Sequence, residues 1–300
     1  MNTPNKKSVA KFALLNLIVL IFTLCASAKP KNLPELIVAG DSWANFLCDD
    51  RGYQKTFDNL NVLDIKEHGD CKSTSKNGLE AGEWLQSEQH QKLIGKLHEG
   101  SIIKFVHLSI GGNDLIARWK VYMTPPQEIE LFERNYGFIK TIIDSLLVKN
   151  PFIKVIISGY DFPRFTTDHP IVEFRRALEN MGNPSPFELN TALIRYHQYL
   201  IRRLLSHEDY QKRIFAIHHL GMQHYFDGIE DAGVGAGQTL HPDEISSLIL
   251  PESAGGDAHY MSNKKSLKKW FAGIYDAFHL GESGNKRLAE HVYRNIIRFQ

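Results

Sequence analysis

Short apolar runs rich in β-branched residues alternate along this chain with longer segments of helical periodicity. Each short run is continuously apolar, which is expected of strands in a sheet that is buried on both faces. Strands that alternate with helices build a parallel sheet covered by helical layers. The sequence therefore predicts an α/β fold whose strands are Leu36–Ala39, Val62–Ile65, Phe105–Ile110, Val155–Ser158 and Ile214–Ile217.

Helical periodicity is clearest near the C-terminus, where apolar residues recur at spacings of four and three. Two other stretches, 161–186 and 221–269, are rich in glycine, proline, histidine and aromatic residues. We expect them to be long loops or small insertions at the rim of the sheet. Long loops in a compact domain are usually functional or disordered. Helices are predicted around Leu79–Leu97, Pro126–Val148, Pro186–Leu205 and Ser283–Phe299.

Residues 1–28 have the pattern of an export signal. A lysine-rich start is followed by the apolar run Phe12–Leu24, and Ala26-Ser27-Ala28 supplies the small residues that a signal peptidase reads. The run is shorter than the roughly 20 residues that a membrane span needs. We therefore predict cleavage after Ala28, a single domain at 29–300, and a periplasmic or secreted protein without a stable membrane anchor. An uncleaved anchor and a lipoprotein at Cys25 are the alternatives.

Charge and cysteine content narrow the class of protein further. Lysines and arginines number 35 against 34 acidic residues, so the chain lacks the basic footprint of a nucleic-acid-binding protein. Cys48 and Cys71 are the cysteines left after signal cleavage. In an exported protein such a pair indicates a disulfide, with two separate buried thiols as the alternative. The absence of a Cys-x-x-Cys pair disfavours redox catalysis and zinc ribbons.

The tripeptide Gly40-Asp41-Ser42 directly follows the first predicted strand. Open α/β sheets bind ligands at the carboxyl ends of their strands, so Ser42 is a candidate nucleophile, with a helix-capping serine as the alternative. Near the C-terminus, Asp276 precedes His279 by three residues. Within a turn the aspartate can hold one ring nitrogen and direct the other toward Ser42. His241-Pro242-Asp243 is a rival acid–histidine pair inside a predicted insertion.

Asn113 and Gly69 are candidate donors to the negative charge that develops during acyl transfer. Asn113 follows Gly111-Gly112 at the end of the third strand, and its amide can donate without titrating. A plain turn residue is the alternative. Gly69 would offer its backbone N–H, but residues 71–77 lengthen this region and leave Gly78 or Gly82 as alternative donors.

The remaining polar and aromatic residues give weaker signals. Asp41 and Asp114 are expected to hydrogen-bond their own turns. The other conspicuous histidines lack a His-x-x-x-His spacing, so we expect solvated or core histidines and neither a metal nor a cofactor. They are His218, His219, His224, His241 and His259. A third group either lines an acyl pocket or packs in the core: Trp43, Tyr160, Phe162, Phe165, Tyr225 and Phe226.

Motif by motif and in the correct order, the chain resembles the SGNH hydrolases, also called GDSL esterases and lipases. The resemblance implies that Ser42 is the nucleophile, that Asp276 and His279 complete its triad, and that Ser42, Gly69 and Asn113 form the oxyanion hole. The implied fold is a flavodoxin-like three-layer α/β/α sandwich with five parallel strands. Trp43 departs from the pattern, because a smaller residue often holds that position.

The resemblance defines the reaction class better than the substrate. It implies an exported serine esterase of the lipase, esterase or lysophospholipase type, acting on a small-molecule, lipid or acylated-sugar ester. The alternatives are a carbohydrate O-acetylesterase of the same fold and a non-catalytic binding protein that retains it.

Overall fold

Five parallel strands form the central sheet of the structure, a computed structural model that describes residues 33–98, 100–239 and 255–300. The strand order is β2-β1-β3-β4-β5, which is the flavodoxin-like order. The predicted α/β fold class is therefore confirmed, and the predicted export signal lies outside the described residues. The strands are β1 Glu35–Gly40, β2 Lys66–Glu67, β3 Ile103–Ser109, β4 Lys154–Ser158 and β5 Ile214–Ile217.

Helices flank this sheet, and residues 34–300 form one compact unit. The two longest helices, Pro125–Lys149 and Pro186–Leu205, each begin with a capping box and a proline in the first turn, which fixes their start. None of the helices in the described part of the chain is long and apolar enough to span a membrane. The helices are α1 Ser42–Asp49, α2 Gly52–Asn59, α3 Ala81–Leu85, α4 Glu88–Lys96, α5 Gly112–Arg118, α6 Pro125–Lys149, α7 Val172–Asn180, α8 Pro186–Leu205, α9 Met222–Asp227 and α10 Glu282–Asn295.

The predicted second strand is wrong by a few residues. The apolar run Val62–Ile65 belongs to the connection before the strand, and its Leu63 side chain is 65% exposed. The pairing instead uses Lys66 and Glu67, which lie opposite the first two residues of β1. A two-residue edge strand carries too little apolar sequence to be recognised by its pattern.

Two helices differ in extent from the segments that the periodicity predicted. The stretch Leu79–Leu97 is split into α3 and α4, because the Ser87 side chain accepts the His90 N–H and starts a new helix. The last helix ends at Asn295, and a 3₁₀ turn follows it at Ile297–Phe299.

A second, antiparallel sheet lies outside the central one and was not predicted. Its strands are β6 Leu267–Lys269 and β7 Tyr275–Leu280, and we call residues 267–280 the C-terminal hairpin. Its turn contains Ala272 and Gly273, both with positive φ. The predicted insertions also contain regular structure, since α7 lies within the first and α9 within the second.

Candidate active site

Ser42 is the first residue of α1 and follows the carboxyl end of β1. The Asp41 side chain caps the helix by accepting the Trp43 N–H at 3.0 Å. The Ser42 side chain is therefore held at a sheet edge, at the start of a helix, although only 3% of the residue is exposed. This is the position that the sequence analysis expects for a nucleophile.

Gly40 makes this turn sterically feasible. Its φ is +132°, and a Cβ atom there would lie 1.9 Å from the Ser109 carbonyl oxygen. The Asp41 N–H donates to the same carbonyl at 3.0 Å, so β1 and β3 remain paired up to their last residues. Only glycine fits a backbone approach this close.

Ser42, His279 and Asp276 form a continuous hydrogen-bonded chain. The His279 ring approaches Ser42 Oγ through Nε2 at 2.7 Å and Asp276 Oδ2 through Nδ1 at 3.0 Å. An ionised carboxylate can only accept, so Nδ1 carries the proton and Nε2 is left to accept from the serine hydroxyl. The structure thus brings Ser42 together with two side chains that lie more than two hundred residues further along the chain.

Asp276 is held by four donors. Its Oδ1 atom accepts the backbone N–H groups of Phe278 at 2.7 Å and His279 at 2.8 Å, a local turn of the Asx type. Its Oδ2 atom accepts the Trp270 indole N–H at 2.7 Å as well as His279. Burial acts to raise the pKa of Asp276, but the hydrogen bonds and charge of His279 and the two backbone N–H groups outweigh it and hold this pKa below its ordinary value. The carboxylate is therefore ionised at neutral pH.

Trp270 was missed by the sequence analysis. It lies just before the hairpin turn, six residues from Asp276, and no motif marks it. Its ring packs edge-on against Phe46, and the Phe46 ring in turn lies 4.8 Å from the His279 ring. The pair Trp270 and Phe46 therefore forms an aromatic wall beside the candidate base.

We expect Trp270→Phe to lower kcat about threefold to tenfold, because one of four hydrogen bonds to a charged group is lost while the ring is kept. The Asp276 carboxylate would then be held by three donors, and it would orient the His279 ring less firmly. Steady-state kinetics with a soluble ester measure the loss. Phe271→Ala, at the neighbouring exposed position, is the matched control for soluble esters. An unchanged kcat would contradict this role.

Asn113 lies in the first turn of α5, after β3. Its Nδ2 atom donates to the Leu79 carbonyl at 3.0 Å, and an amide nitrogen has a second hydrogen to offer. The glycines before it are required by packing: a Cβ at Gly112 would lie 2.4 Å from the Tyr160 ring. This hydrogen bond uses one of the two Nδ2 hydrogens and holds the Asn113 amide in place.

Gly69 is not brought to Ser42. The neighbouring His68 N–H donates to the Leu36 carbonyl at 2.7 Å, which is four residues before Gly40 and about 13 Å away along the strand. The chain reaches the end of β1 only later, where Ser75 pairs with Gly40. The intervening residues, including a 3₁₀ turn at Cys71–Thr74, account for the difference.

Gly78 is a better candidate than Gly82 for the backbone N–H donor that the sequence predicted at Gly69. The Lys76 N–H donates to the Gly40 carbonyl at 3.0 Å, so the next residues pass beside Ser42. Gly78 has φ +79° and open space where a Cβ would lie, whereas a Cβ at Gly82 would meet the Phe138 ring at 3.0 Å. The Leu79 carbonyl that holds Asn113 follows Gly78 directly.

The acidic residues beside the two motifs have structural roles. The Tyr160 hydroxyl donates to Asp41, and burial raises the pKa of Asp41 to about 7 despite this bond. Asp114 interacts with its own backbone N–H and also accepts the Ala81 N–H at 2.8 Å, which ties α5 to the start of α3. Burial raises the pKa of Asp114 to about 6.

The candidate pocket aromatics belong mostly to the core. The Trp43 ring packs edge-on against Tyr160 at 5.0 Å and Phe278 at 5.6 Å, beneath the site. Four of the six are buried, namely Trp43, Tyr160, Phe162 and Phe165, while Tyr225 and Phe226 are half-buried.

Cys48 and Cys71 are paired, with Cα atoms 6.1 Å apart, within the limit of about 7 Å for a disulfide. Cys48 is in the last turn of α1, about 9 Å along the helix from Ser42. Glu67 lies close enough to suggest a three-ligand cluster with the two cysteines. Sulfurs paired in a disulfide are not thiolates, however, so this cluster does not fit a metal.

The histidines singled out in the sequence are scattered. His218, His219 and His224 are buried, and burial lowers the pKa of each. His259 is exposed and pairs with Asp257 at 2.9 Å. The rival pair at 241–243 lies outside the described residues.

Comparisons with known proteins give similarities of structure only. No family profile matches the chain, and no curated protein does. A family 3 carbohydrate esterase from Clostridium thermocellum is 13% identical, with a TM-score of 0.47, covering 89% of this chain and 96% of that one. The extracellular lipase from Streptomyces rimosus is 10% identical, with a TM-score of 0.45 and coverage of 87% and 98%. Phospholipase A1 from Streptomyces albidoflavus is 15% identical, with a TM-score of 0.44 and coverage of 87% and 98%.

Proposed function

We propose that this protein is an exported serine hydrolase of the SGNH type, which cleaves carboxylic acyl esters through an acyl-enzyme on Ser42. The observation that carries this proposal is the continuous chain from Asp276 through His279 to Ser42. A nucleophile, its base and the group that orients the base are the minimal set for acyl transfer.

The first half of the reaction forms the acyl-enzyme. His279 Nε2 takes the proton from Ser42 Oγ as this oxygen bonds to the ester carbonyl carbon. The tetrahedral intermediate then collapses, the bond to the alcohol oxygen breaks, and His279 donates its proton to the leaving alcohol. Asp276 remains ionised and stabilises the imidazolium that forms between these steps.

The second half returns the enzyme to its resting state. Water gives a proton to His279 and attacks the acyl carbon, and Ser42 recovers its proton as the acid leaves. In both halves the negative charge on the carbonyl oxygen would be stabilised by the Ser42 N–H, the Gly78 N–H and the second Nδ2 hydrogen of Asn113. Such pre-positioned donors are usually the largest contribution to acyl-transfer catalysis.

Asn113→Ala should cut kcat about 10²–10³-fold, the usual loss for one oxyanion donor. The thermal midpoint is expected to change little, because Asn113 is at a partly exposed position and its one described partner is a loop carbonyl. Steady-state kinetics with a soluble ester and a melting curve measure both. Asn180→Ala, which removes an exposed amide that also donates to a backbone carbonyl, is the control. An unchanged kcat would assign the oxyanion to other donors.

A fluorophosphonate probe followed by an ester panel tests the proposal directly. The probe should label Ser42, and the panel should then rank acyl chain lengths. Strict acetyl preference on sugar esters would favour a carbohydrate O-acetylesterase, and a folded sample without labelling would indicate a binding protein.

Export is proposed from the residues 1–28 pattern and supported by the Cys48–Cys71 pairing, because disulfides persist in oxidising compartments. The mature chain would begin at Lys29 in the periplasm or the medium. N-terminal sequencing and thiol titration of the native protein test this. A retained Met1 on a cytoplasmic protein, or two titratable thiols, would overturn it.

A further inference from the structure

The tip of the C-terminal hairpin carries an exposed aromatic residue among lysines. Phe271 is 93% exposed and Trp270 is 41% exposed. Lys264 and Lys265 precede the hairpin, and Lys268 and Lys269 belong to β6. We call these six residues the basic aromatic tip.

The charge of this tip is segregated from that of the rest of the protein. The whole chain has a formal net charge of only +1, yet residues 258–275 contain four lysines and no acidic residue. Among the described residues, none of the four lysines forms an ion pair with a carboxylate. Asp168 lies across the adjacent cavity of about 480 Å³ and offsets part of the charge of Lys264. The tip therefore carries a net positive charge.

The tip is also next to the catalytic residues. The Lys268 Nζ atom lies 3.7 Å from the centre of the Phe46 ring, which contacts His279. Trp270 joins the tip to the catalytic acid through its hydrogen bond to Asp276. A surface that bound the tip would therefore bring its component molecules to the entrance of the candidate active site.

We propose that the basic aromatic tip binds an anionic lipid surface, with Phe271 inserted among the acyl chains and the lysines at the headgroups. A lysine near such a surface gains attraction from the anionic lipids, and an exposed aromatic ring gains by leaving water. One part of the proposal rests on the proposed function, namely that the ester cleaved at Ser42 belongs to a lipid within an aggregate. The binding itself does not require turnover.

Vesicle co-sedimentation tests the binding independently of catalysis. The protein would be the Lys29–Gln300 chain carrying Ser42→Ala, so that no lipid is hydrolysed; it retains the compact unit 34–300. The vesicles are phosphatidylcholine with and without phosphatidylglycerol. Binding should require phosphatidylglycerol and weaken as salt is added, since exposed charges are screened.

Two tip variants separate the apolar from the electrostatic part. Phe271→Ser should weaken binding about tenfold. The double variant Lys264→Gln and Lys265→Gln should weaken it about 30-fold. The matched controls, Phe152→Ser and Lys149→Gln, remove an exposed aromatic residue and an exposed lysine near the amino ends of the strands and should leave binding unchanged.

The outcomes are distinguishable. Binding that survives both tip variants, or that is lost with the controls, overturns the proposal. If only the double lysine variant loses vesicle binding, and the unmodified tip binds dextran sulfate as well as it binds the vesicles, the natural partner would be a soluble polyanion. This result also overturns the proposal. If vesicle binding depends on the tip but the protein with Ser42 intact cleaves no ester, the tip assignment stands and the proposed function fails.

Discussion

Ser42→Ala is expected to abolish fluorophosphonate labelling and to lower kcat by about 10⁶-fold, with His279→Ala costing nearly as much. Each change removes one end of the 2.7 Å contact between Oγ and Nε2, and neither group works without the other. The double variant should therefore be no slower than either single variant. Burst and steady-state kinetics of the three proteins measure this.

His259→Ala is the matched control for the histidine. His259 also pairs with an aspartate at 2.9 Å, but it is exposed and lies outside the hydrogen-bonded chain of the candidate site. Its loss should leave turnover unchanged. If the losses at Ser42 and His279 multiplied in the double variant, the two side chains would be acting independently and the proposed pairing would be wrong.

Asp276→Asn should lower kcat by about 10⁴-fold while the fold is kept. The oxygen of the asparagine amide can still accept a hydrogen bond from the Trp270 N–H or the His279 N–H. Its NH₂ group can only donate, so a His279 ring that faces this group would favour the opposite tautomer. Nε2 would then carry the proton and could not accept one from Ser42. Steady-state kinetics and a melting curve separate this effect from loss of stability.

Asp257→Asn is the corresponding control, because it alters the exposed acid–histidine pair in the same way. A loss at Asp276 no larger than this control would show that the carboxylate does not set the state of the base. A large fall in melting temperature would instead assign Asp276 to holding the hairpin.

The sequence was informative wherever one short motif follows one buried strand. β1 and β3 are long and mostly apolar, so their ends at Gly40 and Ser109 were predicted nearly correctly. Parallel strands bring their carboxyl ends to one edge of the sheet, and the structure places Ser42 and Asn113 there. The position of His279 followed from its motif and from the helix after it.

The failures occur where pairing over distance decides the structure. Gly69 was misplaced because register, and not proximity to a strand, decides which residue reaches Gly40, and here it is Ser75. The hairpin was missed because its three-residue strand β6 gives no recognisable alternation. Trp270 could not be found from spacing, since its contact with Asp276 depends on that hairpin.

The proposed nucleophile and its proposed base belong to different sheets. Ser42 is carried by the central sheet, whereas His279 is carried by the two-stranded hairpin, which is joined to the rest of the protein through contacts such as the Arg164 N–H to the Ala277 carbonyl at 2.6 Å. Small peripheral units often open at a lower free energy than the core. Heating should therefore inactivate the enzyme before it melts, and amide hydrogen exchange should be faster in β7 than in β1. Turnover would then measure how firmly the hairpin is docked.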